Sequence, residues 1–463
     1  MSKIVQENTR IIPNRQTSLT KEQKKAVGLL SVGTFLEYFD LMLYVHMATF
    51  LNELFFEPTD PHTTYLMTAF ALCSTFVFRP IGAIIFGRLG DTIGRKSTVI
   101  ITTFMMAMSC TIIANLPTYA QIGSVAAWIV TICRIVQGMS SMGELVGADL
   151  YLTETLKPPA QYVSVGLLRV FTALGGLGAL GIASLVTLHG FNWRMAFWFG
   201  AAVALIGSVA RTTLRETPEF ADAKRRIKRI FEKTNTDTAT LKDNPILQEK
   251  VNKKTIIALF LLECAGPVTF YFIYVYCSTV LKANFSYTTA EVIHHNFIVC
   301  LMELVIALIL CYLSFKIYPL SIVRIILIIS SIFIIFCPYL LNNINAPYQL
   351  FLMQCVMALL HECLGPAFPI LYKRFPVFKR FTCATMTFAI SRALMCVVTS
   401  FGSIYLIEYF GNWGLWVFMV PMIIGFAYGL LHFEKLAKEC GGLPIAFRNL
   451  ATYSEKNNYS SQL

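Results

Sequence analysis

The sequence predicts an all-α membrane protein, with twelve transmembrane helices in two six-helix bundles and both termini cytoplasmic. Three observations lead there. The 463 residues are 56% hydrophobic and 14% charged, with a mean hydropathy of +0.61, whereas soluble chains are about one quarter charged. Apolar runs long enough to cross ~30 Å at ~1.5 Å per residue recur along the whole chain. Lys and Arg collect in alternate loops, as the positive-inside rule requires of a multi-pass protein.

Residues 1–25 are polar and basic, with Lys3, Arg10, Arg15, Lys21, Lys24 and Lys25, and form a cytoplasmic segment. The apolar run that follows is longer than a signal-peptide core and leads to no small-residue cleavage site, so it reads as a retained span. Spans fall at 26–50, 64–87, 97–116, 122–150, 161–188 and 194–211, a first bundle over 26–211. The middle loop, 212–254, is basic and partly helix-prone; it reads as a solvated linker against anionic headgroups or as a regulatory site. Spans at 255–281, 292–315, 319–341, 347–372, 382–408 and 412–433 give a second bundle over 255–433, and 434–463 is a cytoplasmic tail. Loop charge supports the count. The second-to-third loop holds Arg88, Arg95 and Lys96, and the tenth-to-eleventh holds Lys373, Arg374, Lys379 and Arg380. "NELFFEPTDPHT", "NLPTYAQ" and "LNNINAP" hold no Lys or Arg.

Composition excludes several classes. The net charge of +12 sits in loops rather than on one face, which is a topology signal and argues against nucleic-acid binding. Thirteen cysteines are scattered through apolar segments without a CxxC pair, as small buried hydrophobes rather than disulfides or metal ligands. No stretch outside the membrane is large enough for a soluble catalytic domain. HExxH, GxSxG and nucleotide-binding glycine loops are absent, so neither an enzyme nor a cofactor is expected. No obligate protein partner is expected either, and His294 and His295 read as interfacial rather than metal-binding.

Charged residues nonetheless lie at membrane depth, where they must face a cavity or another helix. "GTFLEYFDLMLYV" in span one carries Glu37 and Asp40 on one helical face, ~18 and ~23 Å from the cytoplasmic end at ~1.5 Å per residue. Arg79 and Arg169 lie in spans two and five. At 100° per residue, Arg134, Gln137, Ser141, Glu144 and Ala148 share one face of span four and Asp149 points elsewhere. Glu263, Glu303, Glu362 and Arg392 are placed on spans seven, eight, ten and eleven. "FYFIYVY" in span seven offers Phe270, Tyr271 and Tyr274 as an aromatic surface. Pairs such as Glu144 with Arg169, or Glu362 with Arg392, read equally as helix-locking ion pairs, and the tyrosines equally as packing. "LGGLGALG" (174–181) reads as a close helix contact.

"GRLGDTIGRKS" (87–97) is a tight charged turn. Gly87, Gly90 and Gly94 let helix ends approach closely, while Asp91, Arg95 and Lys96 are placed to form an ion-pair cluster. In this position of a six-plus-six chain it resembles the loop signature of the major facilitator superfamily. "EYFDLMLY" (37–44), "FRPIGAIIFGRLGDTIGRK" (78–96) and "RIVQGMSSMGELVGA" (134–148) resemble that superfamily's metabolite–proton symporter family, whose members carry proline, betaine, α-ketoglutarate, shikimate or citrate. "NWRMAF" and "RETPEF" are similar to family sequences around the sixth span. The resemblance is dense over 30–220 and thins after 255. Where the family often repeats the loop motif between spans eight and nine, this chain has "CYLSFKIYPLS".

The resemblance implies a proton-coupled secondary transporter working by alternating access in the bacterial inner membrane. Its partners are then a small polar substrate, the proton and the bilayer. Sugar-carrying relatives set a first-span acid against a fourth-span arginine for proton coupling, which implies Asp40 with Arg134 here, and Glu37 as a second proton site or a substrate contact. Arg79, Glu144, Arg169, Tyr271, Tyr274, Glu362 and Arg392 are the substrate-binding candidates. Seven acids at depth against four arginines, with the span-seven aromatics, favour a zwitterion such as proline or glycine betaine. A dicarboxylate held by Arg79 or Arg169 is the alternative. A transporter-like nutrient sensor is the reading from another class.

Overall fold

The computed structural model describes residues 16–56, 75–189, 192–234 and 250–439. Eleven helices among them are long and apolar enough to cross a membrane. They coincide with predicted spans one and three to twelve. Of span two, Arg79–Thr92 is described, while 64–74 lies outside the described residues. Spans one, three, four, five and six are Lys21–Phe55, Arg95–Asn115, Ser124–Thr155, Ala160–His189 and Arg194–Arg211. The middle loop opens with a helix, Pro218–Thr234; its 235–249 portion and the tail from 440 fall outside the described residues. Spans seven to ten are Lys253–Phe285, Thr289–Lys316, Pro319–Asn342 and Pro347–Tyr372. Span eleven runs through Val377–Val397, Val398–Gly402 and Ser403–Phe410, and span twelve is Trp416–Glu439.

Helices dominate because hydrocarbon offers no partner for backbone N–H and C=O groups, so each span satisfies its own. Local chemistry sets the ends. Pro319 and Pro347 start spans nine and ten, and Thr288 with Glu291 forms a reciprocal cap on span eight, each filling a first-turn position that leaves fewer N–H groups orphaned. Span nine shows the lipid face most plainly. Ile325, Ile328, Ile332, Ile335 and Phe336 are all more than half exposed along one stripe, while Ser330 and Ile334 are buried.

The two sets of six meet through two antiparallel pairs, spans five with eight and spans two with eleven. The first pair is in contact along much of its length: Cys311 Sγ lies 3.3 Å from Val163 O, Cys300 Sγ lies 3.5 Å from Ala173 O, and Leu180 packs on Ile293. Of the "LGGLGALG" stripe, Gly176 faces Cys300 of span eight, while Gly175 and Gly178 give close approach to Phe35 and Phe39 of span one, as expected of small residues in a membrane interface. Spans two and eleven instead meet at the end that carries the basic loops. A Cβ added at Gly90 would stand 2.5 Å from the Phe381 ring, and one at Gly87 2.8 Å from Thr385 Oγ1, so only glycine permits this contact. Gly94 has φ +118, a conformation that L side chains rarely adopt.

An ionic latch closes that end. Asp91 accepts hydrogen bonds from the Phe381 and Thr382 amides at 3.1 and 2.9 Å and from Thr382 Oγ1 at 2.7 Å. It thus sits where the start of span eleven favours negative charge. Arg95 is fully buried and donates Nε and Nη2 to the two oxygens of Glu154 at 3.0 and 2.9 Å. It also donates to Gly90 O at 2.8 Å and across the interface to Val377 O at 2.7 Å. Arg380 answers from span eleven, bridging Glu154 at 3.0 Å and Glu219 of the linker helix at 2.7 Å. Lys373 lies 3.6 Å from Glu219, and burial holds its ammonium below the ordinary lysine range while Glu219 pulls the other way.

The expected cluster therefore forms with a different membership. Asp91 and Arg95 stand 3.5 Å apart, but the main acceptor of Arg95 is Glu154, and Lys96 makes no ion pair among the described residues. At the pseudo-equivalent place in the second half, "CYLSFKIYPLS" brings Tyr318 edge-on to Tyr162 across the interface, ring centroids 6.4 Å apart. An aromatic contact stands where the ionic one is missing.

The second-to-third loop, the linker helix and the tenth-to-eleventh loop meet at one end, the end that loop charge assigns to the cytoplasm. Cysteine-directed labels should then reach positions near 55 and 343 only from outside, and positions near 92 and 376 only from the cytoplasm. Reversed access at any of the four would refute the arrangement. For the latch, a cysteine is placed at Ala83, which is fully buried, in a chain whose thirteen native cysteines are replaced. Adding Asp91→Asn should raise its labelling rate from the cytoplasmic side about tenfold, as expected for losing a charge-assisted bond. An unchanged rate would leave Asp91 with no part in closure.

Candidate functional site

The carboxylates of span one each meet an arginine from another helix. Asp40 accepts Arg134 Nη1 at 2.8 Å and Gln137 Nε2 at 2.9 Å, and Arg134 also donates to Gln137 Oε1 at 3.0 Å. The 3.6-residue period of span four puts Arg134 and Gln137 on the face that meets span one. Glu37, one turn below Asp40, accepts Arg79 Nη2 at 3.2 Å, and that guanidinium stacks 4.6 Å over Phe76. These five polar side chains, with Thr75, surround a small polar cavity with room for about one water, closed by Leu41, Met106 and Gly138. Glu37 Oε2 and Thr75 Oγ1 are buried without a hydrogen-bond partner among the described residues. A polar void beside such atoms is where water resides in proteins.

Farther along span four the expected pairs are exchanged. Glu144 does not pair with Arg169. It accepts Arg211 Nη1 at 2.5 Å and Thr103 Oγ1 at 2.5 Å. Arg169 pairs with Asp149 at 2.9 Å and lies 5.6 Å over the Phe368 ring of span ten. A π-helical turn, Met142–Val146, causes the difference. It breaks the 3.6-residue count, directing Glu144 to spans three and six and Asp149 to span five. Arg211 closes span six in sequence and gives no sign of depth, yet its long side chain runs inward to full burial, donating also to Leu29 O at 3.1 Å.

The second half is rearranged in the same way. Arg392 pairs with Glu263 at 2.6 Å rather than with Glu362. A π-helical turn over Tyr271–Tyr276 parts Tyr271 from the expected aromatic surface, while Phe270 and Tyr274 stay together with ring centroids 5.3 Å apart. The Tyr271 hydroxyl meets Ser403 Oγ of span eleven at 2.5 Å, while Tyr274 donates to Glu303 Oε2 of span eight at 2.6 Å. The two rings face different neighbours and make no common cation box. His295 is half-buried against Gln354 at 2.7 Å, and His294 is exposed. Among the described residues no group of His, Cys, Asp and Glu could hold a metal ion.

Several residues of consequence went unmarked in the sequence. Glu154, Glu219 and Arg380 complete the latch, and Arg211 completes the core of the first bundle. Tyr38, between the two acids of "EYFD", lies within electrostatic reach of Arg169, Arg392, Glu362 and Arg79, the central space between the bundles. Its position on the Glu37–Asp40 segment was the available signal.

The sequence profile of the Major Facilitator Superfamily matches residues 30–376. A protein of Salmonella typhimurium described as a proline/betaine transporter is 30% identical over 281 residues, covering 57% of this chain and 54% of that protein. The proline/betaine transporter of Escherichia coli K12 matches to the same extent. The match spans about half the length of these relatives. Among solved structures, the proton:xylose symporter XylE bound to 6-bromo-6-deoxy-D-glucose superposes with TM-score 0.71 at 16% identity, covering 89% of this chain and 95% of the other. The human organic anion transporter MFSD10 superposes with TM-score 0.58 at 14% identity, covering 90% and 99%. At such identities the likeness shows the fold, and that fold is the expected one, carried by a family of transporters rather than enzymes. With its profile matched over well more than half of its length, the chain belongs to the Major Facilitator Superfamily.

Proposed function

We propose that this protein is a proton-coupled symporter of a small zwitterionic metabolite of the proline or glycine betaine kind, embedded in a bacterial inner membrane. In this reading, 26–211 and 255–433 are the two halves that rock about a central site, joined by 212–254. The observation that carries it is the Asp40–Arg134–Gln137 triad beside a polar cavity at membrane depth. A carboxylate removed from water favours its protonated form and a nearby guanidinium favours its charged form, so small changes in access shift the balance. When the site opens outward, a proton taken by Asp40 releases Arg134. When it opens inward, water and re-pairing drive the proton off. The names of the relatives support the substrate class.

The dicarboxylate alternative is less well served. Arg79 and Arg169 are each engaged by a carboxylate of the protein, which a dianion would have to displace. A nutrient sensor without transport would show no uptake at all. Purified protein in proteoliposomes, offered proline, glycine betaine and α-ketoglutarate with and without an imposed pH gradient, separates these readings. Gradient-driven accumulation of a zwitterion is the expected result.

Asp40→Asn then tests the carrier of the proton. Such a protein cannot cycle a proton, so uphill uptake should vanish while counterflow, which needs no net proton movement, persists at least in part. Full gradient-driven accumulation by Asp40→Asn would sink the reading. Glu37→Gln separates the two acids: loss of binding makes Glu37 a substrate contact, whereas loss of coupling alone makes it a second proton site.

A further inference from the structure

Pairing the charges at membrane depth leaves a remainder. Arg79 takes Glu37, Arg134 takes Asp40, Arg169 takes Asp149, Arg211 takes Glu144 and Arg392 takes Glu263. Five guanidiniums thus engage five of the seven acids counted at depth. The two left over, Glu303 and Glu362, sit on spans eight and ten, which pack together within the second half. Each is buried, at 5% and 4% exposure. Neither forms a bridge to Lys or Arg among the described residues.

Their oxygens show what is missing. Glu303 Oε2 accepts the Tyr274 hydroxyl, but Glu303 Oε1 and Glu362 Oε2 are buried with no hydrogen-bond partner. The two carboxylates are within electrostatic reach of each other, and Arg169 acts on Glu362 from the first half. A further neighbour of Glu362 is His361. Its Nδ1 is engaged with Thr269 Oγ1 at 2.8 Å, and its Nε2 lies 3.9 Å from Glu362 Oε1, beyond hydrogen-bond distance. On the first-half side the buried nitrogens without a partner are donors, Arg79 Nε and Arg169 Nε. Vacant carboxylate oxygens occur in both halves, Glu37 Oε2 and Asp149 Oδ1 included, but of the seven acids at depth Glu303 and Glu362 alone have no guanidinium partner among the described residues.

We propose that Glu303 and Glu362 bind the protonated amine of the substrate, each oxygen accepting one N–H, so that the site selects a primary or secondary ammonium over a quaternary one. This deepens the symporter reading and rests on it. A secondary ammonium such as proline's carries two N–H donors for two vacant acceptors. A quaternary ammonium carries none and calls for an aromatic cage, which the divergence of Tyr271 and Tyr274 denies it. The substrate carboxylate then faces the first half, where Arg79 Nε and Arg169 Nε are buried without a partner and can be met without displacing Glu37 or Asp149, which ties ligand binding to the approach of the two bundles.

The test uses the full chain in proteoliposomes and measures binding by competition along one methylation series: glycine, sarcosine, dimethylglycine and glycine betaine, with proline alongside. Affinity should drop about tenfold or more where the last N–H is lost, the worth of one charge-assisted hydrogen bond. Glu362→Gln and, separately, Glu303→Gln should weaken N–H-bearing ligands about tenfold more than betaine. Retention of the wild-type thermal transition qualifies each variant, and either one suffices. Equal losses for betaine and proline overturn the proposal, as does a common dependence of every ligand on sodium. Unchanged binding with loss of uphill uptake also overturns it, making the pair a proton site. If no member of the series binds the wild-type protein, it is the zwitterion-transporter reading that falls.

Discussion

An ionised side chain within hydrocarbon has no water to hold it, and the packing of this protein follows from how each such group finds a partner. The five pairs at depth join span one to two, one to four, four to six, four to five and seven to eleven. Span four enters three of them and so acts as the post around which the first bundle is assembled. Removing one member of a buried pair typically costs about 3–5 kcal/mol, although a pair of apolar residues in its place is often no worse. Their use here is therefore geometric. An apolar surface tolerates sliding, whereas a guanidinium and a carboxylate fix which helix faces meet.

The two contacts between the halves divide along the same line. Spans five and eight touch through glycines, alanines, cysteines and aliphatic side chains for much of their length, ending in the Tyr162–Tyr318 contact. Spans two and eleven are joined at one end by Asp91, Arg95, Glu154, Glu219 and Arg380. At the opposite end, apart from the span five–eight contact that reaches Leu180 and Ile293, the contacts described hold each half to itself. Phe55 packs edge-on to Trp193, and Arg194 donates to Leu116 O, within the first half; Asn412 bonds Asn342 within the second. The molecule is thus closed at the end that carries the basic loops in this conformation.

Much of this was legible. Loop charge gave sidedness, apolar length gave the spans, 3.6-residue spacing put Arg134 and Gln137 on one face of span four, and the family resemblance set Arg134 against Asp40. The spacing rule failed at Glu144, Tyr271 and Tyr274 because π-helical turns lie at or around them, and nothing in "MGELV" or "YFIYVY" announces the wider turn. Arg211 was missed for another reason: a residue at the end of an apolar run looks interfacial, while an arginine side chain is long enough to reach a core carboxylate. Glu154 lies beyond the predicted end of span four and carried no signal, since its two guanidinium partners lie 59 and 226 residues away. Pairing at such separations is a property of the assembled bundles, not of any local pattern.

The division between a dry contact and an ionic one also bears on how such a molecule can change shape. Opening an apolar interface to water costs about 25 cal/mol for each Å² exposed, with nothing to offset it. Opening an ionic latch exposes groups that water solvates well, so the lost pairing and the regained hydration nearly cancel. A joint that must open repeatedly is better built from charges, and one that must stay together is better built from methyl groups and small residues. The first half places its charged turn where spans two and eleven part. The second half, with "CYLSFKIYPLS" at the corresponding place, puts tyrosines and aliphatic side chains at the end of the contact that spans five and eight maintain. The missing charged motif is therefore not simply a weakened copy of the first. It leaves one interface suited to parting and the other to pivoting.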